Sequence, residues 1–138
     1  MVATGGNDNK LHLFSLKKME TLAQWSDHRA AVKAVGFNPS DPTIISGGGS
    51  ADRRLRVFSL HSLQLLNEVD TGSQVCNLLY SPISSQLLTS HGYSLNELTL
   101  WRWGANGHLE KEDSVMGHRR RILYLAGNGD SVVTGAGD

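Results

Sequence analysis

The chain of 138 residues has one cysteine, three prolines and no excess of either charge sign. Each shortage excludes something. A lone Cys76 cannot close an internal disulfide, so a reducing compartment is its natural setting. Thirteen basic residues offset 13 acidic ones, leaving no net field to draw in nucleic acid or an anionic membrane. No apolar run approaches the roughly 20 residues of a membrane span. Met1 to Gly6 lacks a basic stretch followed by an apolar core, so no signal peptide is expected. No Cys/His set has zinc spacing, no glycine-rich loop precedes a Lys-Ser/Thr pair, and no nucleophile elbow occurs. No metal, cofactor or catalytic activity is therefore expected. With 39% hydrophobic and 19% charged residues the chain is too apolar for disorder.

Glycine, by contrast, is plentiful at 15 residues, which points to frequent tight turns. Those turns recur. Asp8, Asp52 and Asn96 are each 44 residues apart, and Phe14, Phe58 and Trp101 follow at spacings of 44 and 43. His28, Gly72 and His118 open a second recurring segment at spacings of 44 and 46. Leu11/Leu13 and Leu55/Val57 alternate with polar residues, the mark of half-buried strands. A period of about 40–45 residues, with about four short strands per period, fits the β-propeller class. The expected fold is all-β: a partial propeller of about three four-stranded blades, with about ten to twelve strands in all. Residues 1–27 read as the end of one blade, 28–71 and 72–117 as full repeats, and 118–138 as the start of the next. That count suggests a piece of a larger propeller, with open strand edges at both ends.

The repeat also predicts an internal tether. His28, Ser46 and Asp52 suit a hydrogen-bond chain that stops at the serine, because Phe58 has no N–H to offer. His118 is expected to act in the same way, as a structural group rather than a catalytic base. Gly72 and Asn96 replace the His and Asp of the third unit, so a weaker tether is expected there. Cys76 reads as an inert thiol on a strand facing the core. No role is read for His91 at a strand end.

Several strings carry more than repeat punctuation. They are Gly5-Gly6-Asn7-Asp8-Asn9-Lys10, Ala30-Ala31-Val32-Lys33-Ala34-Val35, and Gly47-Gly48-Gly49-Ser50-Ala51-Asp52-Arg53. Asp70-Thr71-Gly72-Ser73-Gln74-Val75-Cys76-Asn77-Leu78, Ser90-His91-Gly92-Tyr93-Ser94 and Val133-Thr134-Gly135-Ala136-Gly137-Asp138 follow in order. Together they resemble the Fizzy family of WD-repeat activators and substrate receptors of the anaphase-promoting complex, and its Fizzy-related branch in particular. The resemblance implies the last blades of a seven-bladed propeller, running from mid-blade four to mid-blade seven. It implies degron-bearing proteins and subunits of that complex as partners, a part in the cell cycle, and a location in nucleus and cytoplasm. It also implies a site for the Lys-Glu-Asn (KEN) degron at Asn7, Asn9, Ser50, Gln74 and Arg121. There are departures: Ser50 stands where the family usually has Thr, and Gly127-Asn128-Gly129-Asp130 is a shortened turn.

The chemistry of those positions is reasonable by itself. Asn and Gln amides both donate and accept toward a peptide, and Arg121 can fork onto a carboxylate. The plainer reading of Asn7 and Asn9 is turn chemistry, and of Arg119 and Arg120 a solvated basic turn. A generic WD-repeat scaffold for some other protein is the alternative function.

Overall fold

In the computed structural model, which describes residues 1–138, thirteen strands form and no helix does. The first sheet is β1 (Val2–Gly5), β2 (Leu11–Ser15) and β3 (Glu20–Trp25). The second is β4 (Val32–Phe37), β5 (Thr43–Gly48), β6 (Arg54–Ser59) and β7 (Leu65–Asp70). The third is β8 (Val75–Tyr80), β9 (Leu87–His91), β10 (Glu97–Trp103) and β11 (Leu109–Met116). β12 (Ile122–Gly127) and β13 (Val132–Ala136) pair as the fourth. Every pairing is antiparallel between consecutive strands, and the count exceeds the expected ten to twelve because a third strand of the first sheet forms at Val2–Gly5.

The first strand of each sheet packs on the first strand of the next: β4 lies against β8, and β8 against β12. These inner strands share one irregularity. The register slips between Val32 and Ala34, between Val75 and Asn77, and between Ile122 and Tyr124. The extra residues are Lys33, Cys76 and Leu123, each left out of the ladder as a β-bulge. Cys76 is thus half-buried at a bulge rather than packed in the core as its strand suggested. Burial raises its thiol pKa, against the pull of Arg121 and Lys33, so it stays protonated.

The core lies between sheets. Ala34, Ile45, Leu55 and Val57 of the second sheet meet Val75, Leu87, Trp101 and Leu109 of the third. Ile44 and Phe58, on the opposite face of the second sheet, meet Leu11, Leu13 and Trp25 of the first. Ile44 and Ile45 are adjacent in sequence yet both buried, on opposite faces, because β5 is central and covered on each side. Each such side chain contributes roughly 1.5–3 kcal/mol, against about 0–1 kcal/mol for exposed ion pairs such as Arg102–Glu110. Sheet stacking therefore dominates.

Glycine sets how close the sheets come. A Cβ on Gly47 would lie 2.7 Å from Val75 Cβ, and one on Gly5 would lie 2.7 Å from Val32 Cβ. These glycines at the ends of β5 and β1 let the inner strand of the next sheet approach.

Polar tethers fix the turns at the same end. In the second sheet His28 Nδ1–H donates to Asp52 Oδ2 at 2.6 Å, and the Ser46 hydroxyl donates to His28 Nε2 at 2.6 Å. This tautomer follows because a carboxylate only accepts. Asp52 also accepts the Arg29 backbone N–H at 3.0 Å and Arg56 at 2.7 Å, while Arg56 reaches on to Glu68 at 2.7 Å. Arg56 was not foreseen in this network. It is nearly fully buried between two carboxylates, which is where a buried charge must sit to avoid an unpaired desolvation cost. Burial holds His28 neutral by lowering its pKa, and Arg56 outweighs part of the opposing pull of Asp52. Burial pushes Asp52 up, but hydrogen bonds from Arg56, Arg29 and His28 carry it below the ordinary value. His118 repeats the pattern, bonding Asp138 at 2.9 Å and Thr134 at 2.8 Å.

The third sheet departs from expectation. Asn96 does not take the place of Asp52. Its φ of 48° matches Arg53 (φ 56°) and Asn9 (φ 65°), the left-handed residue just before each third-strand position. Leu95 takes the Asp52 place, and its Cδ1 lies over Gly72, 3.3 Å from where a Cβ would be. Thr71, four residues before Val75 as His28 is before Val32, takes the His place and its hydroxyl bonds backbone carbonyls of Arg53 and Ser73 instead, so no His–Asp pair forms. The tether is rebuilt rather than merely weakened. His91, fully buried, shares a hydrogen bond between Nε2 and Thr89 Oγ1 at 2.7 Å, and Thr89 Oγ1 also accepts Trp101 Nε1–H at 2.8 Å. Trp101 supplies the N–H that Phe58 lacks.

Two outcomes follow from this packing. Gly47→Ala should cost about 1–3 kcal/mol by overpacking Val75, read as a shift in urea midpoint. Gly117→Ala, where a Cβ would meet nothing within 4 Å, should stay within about 0.5 kcal/mol. The second outcome concerns acid. Burial pushes His91 down to about 4 from 6.5, outweighing the raising influence of Glu97. The unfolded chain therefore binds this proton first as pH falls. The stability contribution is intact above pH 6.5 and is lost toward pH 4, by up to roughly 3 kcal/mol. His28 acts with the same sign, so the diagnostic is the slope: denaturant midpoints across that window should vary less steeply in His91→Gln than in the parent.

Candidate functional site

In the second, third and fourth sheets antiparallel pairing puts the start of the first strand and the end of the second at one end, and in the first sheet the end of β1 and the start of β2 lie there. Val32 pairs with Gly48, Val75 with His91, and Ile122 with Ala136. The β1–β2, β5–β6 and β9–β10 turns and the approaches to β4, β8 and β12 therefore share one end. Backbone hydrogen bonds join them there. Val32 N–H donates to Gly6 O at 3.1 Å, Gly49 N–H to Ala31 O at 2.9 Å, and Gly92 N–H to Gln74 O at 3.0 Å. The turns and crossovers form one continuous rim.

All five residues singled out from the sequence lie on this rim. Asn7 is exposed on the β1–β2 turn, and Asn9 is half-buried beside it with positive φ and its N–H donated to Gly6 O at 3.3 Å. Asn tolerates this conformation better than most residues. Ser50 is exposed on the β5–β6 turn. Gln74 precedes β8 and is buried, while Arg121 precedes β12 and is exposed.

Two of the five converge. A Cβ on Gly92 would lie 2.5 Å from Gln74 Oε1 and 2.8 Å from Arg121 Cγ. Gly92 is thus the floor across which the Gln74 amide of the third sheet and the alkyl stem of Arg121 from the fourth meet. Asn7, Asn9 and Ser50 share the rim on the first and second sheets, one or two sheets away from that floor. The His28, Ser46 and Asp52 tether lies under the β5–β6 turn, and His118 under the approach to β12.

Sequence reasoning missed Gly92 and His91. The Ser90-His91-Gly92-Tyr93 string carried the only signal, and its separate parts were not legible: a buried His supporting the turn, then a glycine leaving room for two neighbours. Arg119 also differs from the loose turn expected. Its N–H donates to Asp138 Oδ2 at 2.7 Å, and its carbonyl accepts from Asn96 Nδ2 at 3.4 Å. Only its side chain is free to move.

What this rim can do chemically is bind. It offers neutral amides, a hydroxyl and a guanidinium, with no three His, Cys, Asp or Glu side chains grouped as metal ligands. Comparison with known proteins agrees with the architecture. The WD domain, G-beta repeat, matches residues 19–59. The chain is 41% identical to the B-type cell cycle switch protein ccs52B of Medicago truncatula, over 99% of this chain and 28% of that protein. It is 40% identical to the meiotic fizzy-related protein 1 of Schizosaccharomyces pombe, over 99% of this chain and 32% of the other. It is 37% identical to the APC/C activator protein CDH1 of Saccharomyces cerevisiae, over 99% of this chain and 24% of that protein. The chain therefore spans about a quarter to a third of the length of these relatives. A chain in the crystal structure of the mitotic checkpoint complex superposes with a TM-score of 0.91 at 32% identity, over 97% of this chain and 42% of that one. The stacked four-stranded sheets are those of a partial WD-repeat propeller, and over its whole length the chain is a relative of the Fizzy-related proteins.

Proposed function

We propose that this chain is part of a degron receptor for the anaphase-promoting complex, binding KEN-type segments non-covalently at the rim around Gly92. The observation that carries the reading is the convergence of Gln74 and Arg121 across Gly92. An amide and a guanidinium on adjacent rigid sheets can hold a peptide amide and a carboxylate at a fixed separation, which is the chemistry of a Lys-Glu-Asn segment. Asn7, Asn9 and Ser50 add polar groups along the same rim, where further residues of an extended peptide would pass. The printed description of the yeast relative as an APC/C activator supports the partner. No step in this role breaks a bond, so the chain acts as a regulator and not a catalyst. The nucleus and cytoplasm would be its places of action.

A generic WD-repeat scaffold would use the same rim for another protein, but no separate observation favours it. Peptide titration tests the difference. Arg121→Ala should weaken binding of a KEN peptide by about tenfold or more, since a hydrogen bond to a charged group contributes roughly 1.5–3 kcal/mol. Arg119→Ala and Arg120→Ala should weaken the same short peptide only slightly, and mainly at low salt. Equal losses at all three arginines would point to a diffuse basic patch and remove Arg121 as the specific contact.

A further inference from the structure

Beside the Gly92 floor lies a second feature that the degron reading does not use. The β9–β10 turn and the approach to β12 enclose a concavity of about 510 Å³, walled by Tyr93, Asn96, Arg119, Arg120, Arg121 and Leu123. Three arginine side chains thus line one basin. No ion pair claims any of them: the pairs of this region end at His118–Asp138 and Lys111–Glu97. Asp138 has both oxygens engaged, one by His118 and the other by the Arg119 backbone N–H. The basin therefore concentrates positive charge on a chain whose formal net charge is zero.

Its walls are built rather than loose. The Arg119 backbone is held from both sides, by Asp138 and by Asn96. Asn96 Oδ1 is buried without a protein partner in the wall. Tyr93 is 78% exposed at the rim, an aromatic face with no packing partner of its own. Such a face suits the alkyl or peptide parts of a bound segment.

We propose that this basin takes an acidic peptide stretch, two or more carboxylate side chains flanking the segment held at Gly92. The inference rests on the degron reading for the position of the peptide, and on charge complementarity for its chemistry. Successive residues advance about 3.8 Å between Cα atoms, so three consecutive arginines spread their forks over more than one anionic group can reach. A run of carboxylates on neighbouring residues matches that spread. The volume likewise fits several side chains. Arg121 faces both features, so it would join the core segment to its acidic flank, while Arg119 and Arg120 would serve the flank alone.

The test uses the intact chain and three labelled peptides in anisotropy titrations at low and high salt. One carries the KEN core alone, one the core with a Glu-Glu-Asp flank, and one that flank without the core. The flank should tighten the core peptide about tenfold at low salt, with a smaller gain at high salt. Replacing Arg119 and Arg120 together by Gln should remove that gain while moving the core peptide by less than about twofold. Lys replacements should keep a part of it, because charge stays and the fork is lost. Circular dichroism checks that these exposed substitutions leave the fold intact. An acidic flank that adds nothing, or a gain that survives the double Gln variant, overturns the inference. If the core fails to bind but the flank binds in an Arg119- and Arg120-dependent way, the degron reading falls and the basin stands. A phosphoserine flank that outperforms the carboxylates would replace the proposed ligand with a phosphopeptide.

Discussion

The close approach of neighbouring sheets at their inner strands holds everything else in place. Val32 sits on Gly5 and Val75 on Gly47 without room for a methyl group between them. That contact is possible only because β1 ends in Gly5 and β5 ends in Gly47 and Gly48. It brings the core residues of one sheet into the next, Ile45 and Val57 against Val75 and Leu87, and so buries both faces of β5. It also sets the spacing of the turns along the rim. Gln74 and Arg121 can meet across Gly92 because their sheets are held at this separation, and a third glycine leaves the gap between them empty.

The tethers solve a different problem. A turn that carries binding residues must be rigid without consuming those residues. In the second sheet a buried His–Asp–Arg network does this from beneath, leaving Ser50 exposed above. In the third sheet the same task is done by different groups. His91 enters from the second strand, Thr89 takes the place of Ser46, and Leu95 covers Gly72 where a His–Asp pair would stand. Thr89 also receives the indole N–H of Trp101. The turn is held from beneath either way.

Period, alternation and turn residues made the fold legible, since Leu11, Leu13, Leu55 and Val57 all bury as their spacing implied. The His28–Ser46–Asp52 chain was legible for the same reason: each member recurs at a fixed offset. What was not legible follows from one-residue shifts. A period of 44 placed Asn96 over Asp52, but the third sheet follows the second at an offset of 43 from its first strand onward, Val32 to Val75 and Arg54 to Glu97, so Leu95 holds that place. A linear pattern cannot register such a slip when both candidates are adjacent. The bulge at Cys76 hid in a similar way, because alternation alone assigned the thiol to the core. Of the rim, the resemblance singled out five residues that lie at one end of the sheets, whereas the approach of Gln74 and Arg121 across Gly92 was not legible, since it depends on two side chains from different sheets.

The repeat that matches as a WD domain runs over residues 19–59, from just before β3 to the end of β6. The sheets are cut elsewhere, since β3 closes the first and β4, β5 and β6 build most of the second. The sequence repeat and the sheet are therefore out of phase by one strand. Copying one such stretch adds the last strand of one blade together with the body of the next, so each duplication arrives already laced to its predecessor. Loss of a stretch would rejoin a body to a foreign outer strand. A molecule assembled this way can lengthen or shorten by whole steps and still keep every sheet spliced to its neighbour by covalent chain.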